Sequence, residues 1–159
     1  MRVLFVTTSP NSVLNRLRTI SSIDLCVVDC AENYITVGER IEEAITAQTP
    51  DLILVYRCPY ILPESVFTIA RLGAYNLHPS LLPKYSGLNP WKDIFANKES
   101  VSGVTLHRIS SNIDGGEIIY QVEYSIDPCD TIDKARYKAD CLATELTILL
   151  MEHISSRFF

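Results

Sequence analysis

The chain has 159 residues, of which 47% are hydrophobic and 21% charged, and its formal net charge is -5. This length and composition predict one globular domain with enough apolar material for a sizeable core. The acidic balance gives no electrostatic case for nucleic acid or an anionic membrane as a partner, so we expect neither.

The first apolar run, Val3-Leu4-Phe5-Val6, follows Met1-Arg2 directly. It is too short for a signal-peptide core, and no small-residue cleavage site comes after it. No apolar stretch approaches the roughly 20 residues that a membrane-spanning helix needs. We therefore interpret residues 2–7 as a first strand and expect a cytoplasmic protein.

Apolar runs alternate with helical spacing through the first half of the chain. The amphipathic helix expected here carries Ile41, Ala44 and Ile45 on one stripe, and Pro50 ends it. In chain order the pattern predicts a turn at Ser9-Pro10-Asn11, a helix over 12–21, a strand over 23–28, the amphipathic helix over 37–48, a strand over 51–56, a helix over 64–71 and a strand over 73–78.

The second half continues the alternation. Asn89 before Pro90 predicts the start of a helix over 90–96. Strands follow over 103–109 and 117–126, and the alternation of the second predicts that one of its faces meets solvent. The longest helix is predicted over 131–154 and would dock on the sheet, with an apolar stripe through Ile132, Ala135, Ala139, Leu142, Leu146 and Leu149 or Leu150.

Strands that alternate with helices predict an α/β fold with a mostly parallel, twisted sheet and helices on both faces. Ligands bind such sheets beyond the carboxyl ends of the strands. His78 lies at one such end, and Asp114 lies in the loop between the two later strands. We therefore expect the functional site at this edge of the sheet.

The cysteines give no sign of a disulfide framework or a zinc site, because their number is odd and no CxxC pair occurs. Free, mostly buried thiols are the expected state in a reducing compartment. We expect this state for all five, with Cys58 packing against its neighbours rather than acting as a nucleophile, and we predict no metal site. The five are Cys26, Cys30, Cys58, Cys129 and Cys141.

Asn76 and His78 stand at i and i+2 of a predicted strand, so their side chains project from the same face. The carboxylate of Asp114, in Ile113-Asp114-Gly115-Gly116, would complete a set that can stabilise an oxyanion and move a proton. Two plainer interpretations exist. The strand-end pair could be a satisfied polar pair, and Asp-Gly is a common turn signal.

The segment after His78 is predicted to be an ordered extended loop. Pro79 and Pro83 each bias the residue before them away from helix, and Leu81-Leu82 between them can anchor the loop to the core. The loop continues to Gly87. Its rigidity favours a functional interpretation of the neighbouring Asn76 and His78.

Two blocks carry a resemblance to a known family: NLHPSLLPKYSGLNPW and SGVTLHRISSNIDGGEIIYQ. They resemble the catalytic core of the 10-formyltetrahydrofolate-dependent formyltransferases, which include glycinamide ribonucleotide, methionyl-tRNA and amino-sugar formyltransferases. The resemblance covers nearly the whole chain. It implies a Rossmann-like formyltransferase fold over residues 1–159, and it places the catalytic residues at Asn76, His78 and Asp114.

The resemblance also implies a mechanism of direct formyl transfer. A neutral amine attacks the formyl carbon on N10 of the folate, and negative charge develops on the formyl oxygen. Asn76 and a protonated His78 would donate hydrogen bonds to that oxygen. Asp114 would hold the imidazole, favour its charged form and accept the amine proton, directly or through a water.

The resemblance further implies where the substrates bind. The folate would lie between the stretch 57–62 and the loop 110–115, although ordinary core packing is an alternative for residues 60–62. A cis peptide typical of the family would fall at Leu82-Pro83. The predicted folate residues are Arg57, Tyr60, Ile61, Leu62, Ser110, Ile113 and Gly115, and the predicted acceptor residues are Asn11, Ser12, Tyr85 and Gly87.

The chain departs from the family in three places. Residues 7–12 contain no glycine, whereas glycinamide ribonucleotide enzymes carry a glycine-rich phosphate loop there. Residues 30–50 hold one helix, where larger members fit helix, strand and helix, so one sheet edge is expected to be shortened. The last predicted helix lies close to Phe159, so we expect no further domain of the kind that methionyl-tRNA formyltransferases use to hold tRNA.

These observations predict an enzyme that transfers a formyl group from 10-formyltetrahydrofolate to a primary amine. The acceptor is expected to be a small or nucleotide-linked amine, with the amino-sugar type favoured. The alternatives are glycinamide ribonucleotide as acceptor, a formyltetrahydrofolate hydrolase, and a non-catalytic folate-binding domain. A homodimer is left open.

Overall fold

A computed structural model describes residues 1–8, 11–31 and 33–158, so Ser9 and Pro10 of the predicted turn lie outside the described residues. Within these residues every predicted strand and helix is present. In chain order they are β1 (Arg2–Thr7), α1 (Ser12–Leu17), β2 (Asp24–Asp29), α2 (Tyr34–Ala47), β3 (Leu52–Tyr56), α3 (Glu64–Phe67), β4 (Ala74–His78), α4 (Pro90–Ala96), β5 (Val101–Arg108), β6 (Ile118–Ser125) and α5 (Ile132–Phe158).

The strands form one sheet in the order β2-β1-β3-β4-β5-β6. The first four strands run parallel, and β5 and β6 are antiparallel to their neighbours. Three of the five pairings are thus parallel, because helices cross over between the early strands while a loop joins β5 to β6. The predicted α/β fold with a mostly parallel sheet is confirmed.

The two faces of the sheet bury separate apolar clusters. Along β1, Val3 and Phe5 pack with residues of α1 and α5, whereas Leu4 and Val6 pack with residues of α2 and α3. This alternation follows from the two-residue period of a strand. Helices therefore cover both faces, as predicted.

Several predicted boundaries shift. The first helix ends at Leu17 and α3 at Phe67, each four residues early, whereas α2 begins at Tyr34 because Asn33 caps it through Thr36 N. Of the two alternatives predicted for the end of the α5 stripe, Leu150 is buried and Leu149 is 42% exposed. The buried residues of α5 are Ala135, Ala139, Ala143, Leu146, Thr147, Leu150, Met151 and Ile154.

None of the helices in the described residues combines the length and apolar content that crossing a bilayer requires.

The prediction of five free, mostly buried thiols is wrong. Cys30 and Cys58 form a disulfide, with Cα atoms 5.7 Å apart. Cys30 follows β2 and Cys58 follows β3, so folding brings two strand ends together that spacing alone does not pair. The three other cysteines are free but exposed rather than buried: Cys26, Cys129 and Cys141.

Reducing the disulfide is expected to lower the free energy of unfolding by roughly 3–4 kcal/mol, because the bond closes a long loop in the unfolded chain. Urea unfolding with and without dithiothreitol measures the effect. The Cys30→Ser/Cys58→Ser variant is the matched control, and dithiothreitol should leave its urea unfolding midpoint unchanged. A midpoint that reductant leaves unchanged in the unmodified chain would contradict the prediction.

Candidate active site

Two neighbouring strands place four polar side chains on one face of the sheet. On β4 these are Asn76 and His78, and on β5 they are Thr105 and His107. In the antiparallel register Asn76 lies opposite His107 and His78 opposite Thr105. Directly opposed residues project to the same side, so the four groups form one polar cluster.

Asp114 joins this cluster from the loop between β5 and β6. Its Oδ2 accepts a hydrogen bond from Gly87 N at 2.7 Å and lies 3.5 Å from His78 Nδ1. Its Oδ1 lies 3.5 Å from Asn76 Nδ2 and 3.6 Å from His107 Nε2. The structure therefore brings together the three side chains predicted from the sequence, because the Asp114 carboxylate contacts both Asn76 and His78.

The loop reaches this position through an unusual backbone. Asp114 has φ of 51°, a left-handed conformation that asparagine and aspartate tolerate better than most residues. Gly116 follows, and a Cβ there would lie 1.8 Å from the carbonyl oxygen of Arg108. Only glycine permits this approach, so the Asp-Gly-Gly turn presses the loop against β5 and turns the carboxylate toward β4.

His107 is a member of the site that the sequence interpretation missed. Its Nδ1 lies 2.9 Å from the Arg108 carbonyl, which can only accept, so Nδ1 carries the proton. Burial lowers the pKa of His107, which keeps the ring neutral and leaves Nε2 as an acceptor. Asn76 Nδ2 donates to that atom at 3.2 Å. The available signal was the alternation Thr105, His107 in a predicted strand, which places both on one face.

The contacts with His107 and Asp114 orient the Asn76 amide. One N–H is held by His107, whereas the other has only the long 3.5 Å contact with Asp114. A contact of that length is weak, so this N–H is available to a ligand acceptor. Asn76 Oδ1 accepts no hydrogen bond from the residues that the structure describes.

His78 is buried between two acceptors. Its Nε2 donates to the carbonyl oxygen of Tyr85 at 2.8 Å, and its Nδ1 faces the Asp114 carboxylate at 3.5 Å. The Tyr85 carbonyl can only accept, so Nε2 carries a hydrogen, and a hydrogen on Nδ1 would point at the carboxylate. The predicted hydrogen bond from His78 to a formyl oxygen would have to use the Nδ1–H, because the Nε2–H is engaged.

The loop after His78 is anchored as the prolines predicted. The Leu82-Pro83 peptide is cis, which confirms that expectation. Thr105 Oγ1 donates to Ser80 O at 2.7 Å and accepts from Leu82 N at 3.1 Å. Gly103 lets Leu81 pack over β5, since a Cβ there would lie 2.4 Å from Leu81 Cδ2.

The two stretches predicted to bind folate follow the strands that flank β4 in the sheet, since 57–62 comes after β3 and 110–115 after β5. Ser111 Oγ in the second stretch donates to Glu64 Oε2 at 3.3 Å, and Glu64 lies two residues beyond the end of the first stretch. Ile61 and Ile113 are 49% and 62% exposed, so apolar surface is present on both. Their role in binding stays a prediction.

Other members of the predicted folate set have partners inside the protein. Leu62 is buried in the cluster under α2, and Tyr60 packs against that cluster. Arg57 pairs with Asp140 of α5 at 3.5 Å. The Ser110 hydroxyl donates to Asn112 O at 3.0 Å, and Gly115 N donates to the same carbonyl at 3.0 Å, so both close the loop.

The residues predicted to bind the acceptor fall into two groups. Asn11 caps α1 and is buried, and the Ser12 hydroxyl donates to Asp140 O at 3.0 Å. Both follow the carboxyl end of β1, which is two strands from β4 in the sheet. Tyr85 and Gly87, by contrast, contact His78 and Asp114 through their backbones. None of the four has a shown role in binding.

Comparison with known proteins finds relatives in sequence and in fold. Residues 2–150 match the family model described as formyl transferase. The methionyl-tRNA formyltransferase of Thermotoga maritima is 38% identical over 114 residues, covering 72% of this chain and 36% of the relative. The chain spans about a third of the length of the three Thermotoga relatives that it matches.

Solved structures share the fold. Phosphoribosylglycinamide formyltransferase from Anaplasma phagocytophilum superposes with a TM-score of 0.78 at 23% identity, covering 96% of this chain and 87% of that one. A formyltetrahydrofolate deformylase from Pseudomonas syringae pv. tomato gives a TM-score of 0.80 at 17% identity, covering 98% and 62%. At these identities the likeness shows the fold alone.

Proposed function

Since the chain belongs to the formyl transferase family, we propose that it transfers a formyl group from 10-formyltetrahydrofolate to a primary amine. The observation that carries this proposal is the meeting of Asn76, His78 and His107 around the Asp114 carboxylate, all within 3.6 Å of one of its oxygens. We further propose residues 1–159 as the catalytic unit.

The reaction moves one carbon between two nitrogens. The lone pair of the acceptor amine forms a bond to the formyl carbon, and the carbonyl oxygen takes the negative charge. Collapse of this intermediate breaks the bond from carbon to N10 of the folate. The amine loses a proton and N10 gains one, so the products are a formamide and tetrahydrofolate.

The site offers a group for each step. The loosely held N–H of Asn76 can donate to the formyl oxygen, and an imidazolium at His78 places positive charge nearby. Asp114 can accept the amine proton, because Gly87 N holds its carboxylate at 2.7 Å whereas the side chains of Asn76, His78 and His107 lie 3.5–3.6 Å from it. His107 stays neutral and fixes the Asn76 amide.

For the acceptor, a small or nucleotide-linked amine of the amino-sugar type remains our proposal. The support is that Asn11 and Ser12 are engaged within the fold and that no glycine lies between residues 7 and 12. Tyr56 and Arg57, at the end of β3, are likewise bound to Asp140 of α5 and so are engaged within the fold.

Methionyl-tRNA is the second candidate acceptor, because the Thermotoga relatives are named methionyl-tRNA formyltransferases. Against it stands the net charge of -5, which offers little attraction to a polyanion. Glycinamide ribonucleotide is the third. We also propose that the enzyme works in the cytoplasm.

One assay tests the proposal. The protein is incubated with 10-formyltetrahydrofolate and, separately, with an amino-sugar nucleotide, glycinamide ribonucleotide or methionyl-tRNA, and both tetrahydrofolate and the formylated amine are measured. We expect turnover that depends on the amino-sugar nucleotide. Formate release without an amine would instead establish a hydrolase, and folate binding without turnover a non-catalytic domain.

A further inference from the structure

Tyr85 holds a backbone conformation that its side chain does not favour. Its φ is 59°, in the left-handed region, where the Cβ of an ordinary residue crowds the backbone. Such conformations persist when the surroundings compensate for them, and they concentrate at functional sites.

The backbone of Tyr85 orients His78. Its carbonyl oxygen lies 2.8 Å from His78 Nε2 and also accepts from Ser80 Oγ at 3.2 Å. Because a carbonyl cannot donate, Nε2 must carry a hydrogen and Nδ1 is left to face Asp114. The position of one carbonyl thus decides which ring nitrogen meets the carboxylate.

The side chain of Tyr85 is fixed at the other end by Glu99, which lies between α4 and β5. The phenol donates to Glu99 Oε1 at 2.5 Å and accepts from Asn97 Nδ2 at 3.0 Å. Lys84 pairs with the same carboxylate oxygen. The hydrogen bond from Lys84 lowers the pKa of Glu99, and that from Tyr85 lowers it further.

We propose that Glu99 is a positioning residue for formyl transfer: it holds the Tyr85 ring, and the Tyr85 carbonyl then holds His78 in the orientation that meets Asp114. This inference rests on the proposed function. Glu99 touches neither His78 nor Asp114 in the contacts of the described residues, so its effect has to pass through Tyr85 or Lys84, the two residues that bond to its carboxylate.

Kinetics of matched variants test this relay. Glu99→Ala and Tyr85→Phe each remove the bond between the phenol and the carboxylate, and each should lower kcat about tenfold, the size of effect expected for one lost hydrogen bond. The KM for the folate should stay unchanged. Glu99→Gln keeps an acceptor oxygen and should restore most of the rate.

Lys84→Met is the matched control, because it removes the ion pair with Glu99 and leaves the bond between Tyr85 and Glu99 in place. Its kcat should equal that of the unmodified protein. If Glu99→Ala unfolds, Tyr85→Phe probes the same link. The proposal is overturned if Glu99→Ala and Tyr85→Phe leave kcat unchanged. It is also overturned if Lys84→Met lowers kcat as much as they do.

A spectroscopic measurement separates this proposal from the proposed function. In protein with ¹⁵N-labelled histidine, the Nε2–H proton of His78 should give a hydrogen-bonded signal. That signal should shift or broaden in Tyr85→Phe and Glu99→Ala but not in Lys84→Met. If the His78 signal does not move, the relay from Glu99 through Tyr85 to His78 is contradicted, even in a protein that proves to transfer no formyl group. If the signal moves in such a protein, the relay is supported although the proposed function fails.

Discussion

Replacing Asp114 with asparagine is expected to lower kcat by about 10²–10⁴-fold, the usual contribution of positioned proton transfer. The amide that replaces the carboxylate cannot accept the proton of the attacking amine. It also removes the negative charge that faces the rings of His78 and His107. Steady-state formyl transfer, followed by tetrahydrofolate release, measures the loss.

The fold should survive this change, because the asparagine side chain keeps the shape and an oxygen that can accept from Gly87 N. Asp133→Asn is the matched control, since Asp133 is an aspartate on the exposed side of α5. It should keep full activity. A rate close to that of the unmodified enzyme in Asp114→Asn, with unfolding unchanged, would remove Asp114 from the mechanism.

The second large effect is expected at Asn76. Asn76→Ala should lower kcat by about 10²–10³-fold, the cost of losing one donor to a developing oxyanion. The change also leaves His107 Nε2 without its donor. Leaving that buried acceptor unpaired should lower the free energy of unfolding by about 1–3 kcal/mol, and urea unfolding checks this part.

Asn15→Ala on the exposed side of α1 provides the control for Asn76→Ala and should change neither rate nor stability. His107→Ala, alone and combined with Asn76→Ala, tests whether His107 acts through Asn76 or independently of it. If His107 acts by orienting the Asn76 amide, the double variant should lose little more activity than Asn76→Ala alone. Losses that multiply would show that the two residues act independently.

The local pattern predicted much of the fold and the centre of the site. A strand shows its side chains alternately on two faces, so Asn76 and His78 had to share a face once residues 73–78 were recognised as a strand. Gly115 and Gly116 indicated a tight approach of the Asp114 loop. Both signals lie within a few residues, and for this reason they can be recognised without a fold.

The missed features depend on contacts between distant segments. His107 joins the site because the register of β4 and β5 sets it opposite Asn76. Cys30 and Cys58 pair because two parallel strands, separated in the sheet by β1, end near each other. An odd cysteine count excluded complete pairing but carried no information about one pair.

The amino-acid sequence by itself determined the order of strands and helices, the shared face of Asn76 and His78, and the extended loop that follows them. Only the tertiary structure decided that Asp114 contacts two histidines, that Tyr85 presents its carbonyl rather than its hydroxyl to the site, and that Asn11 and Ser12 serve the fold. Alternation and turns arise from neighbouring residues, whereas strand register and loop docking arise from packing summed over the whole molecule.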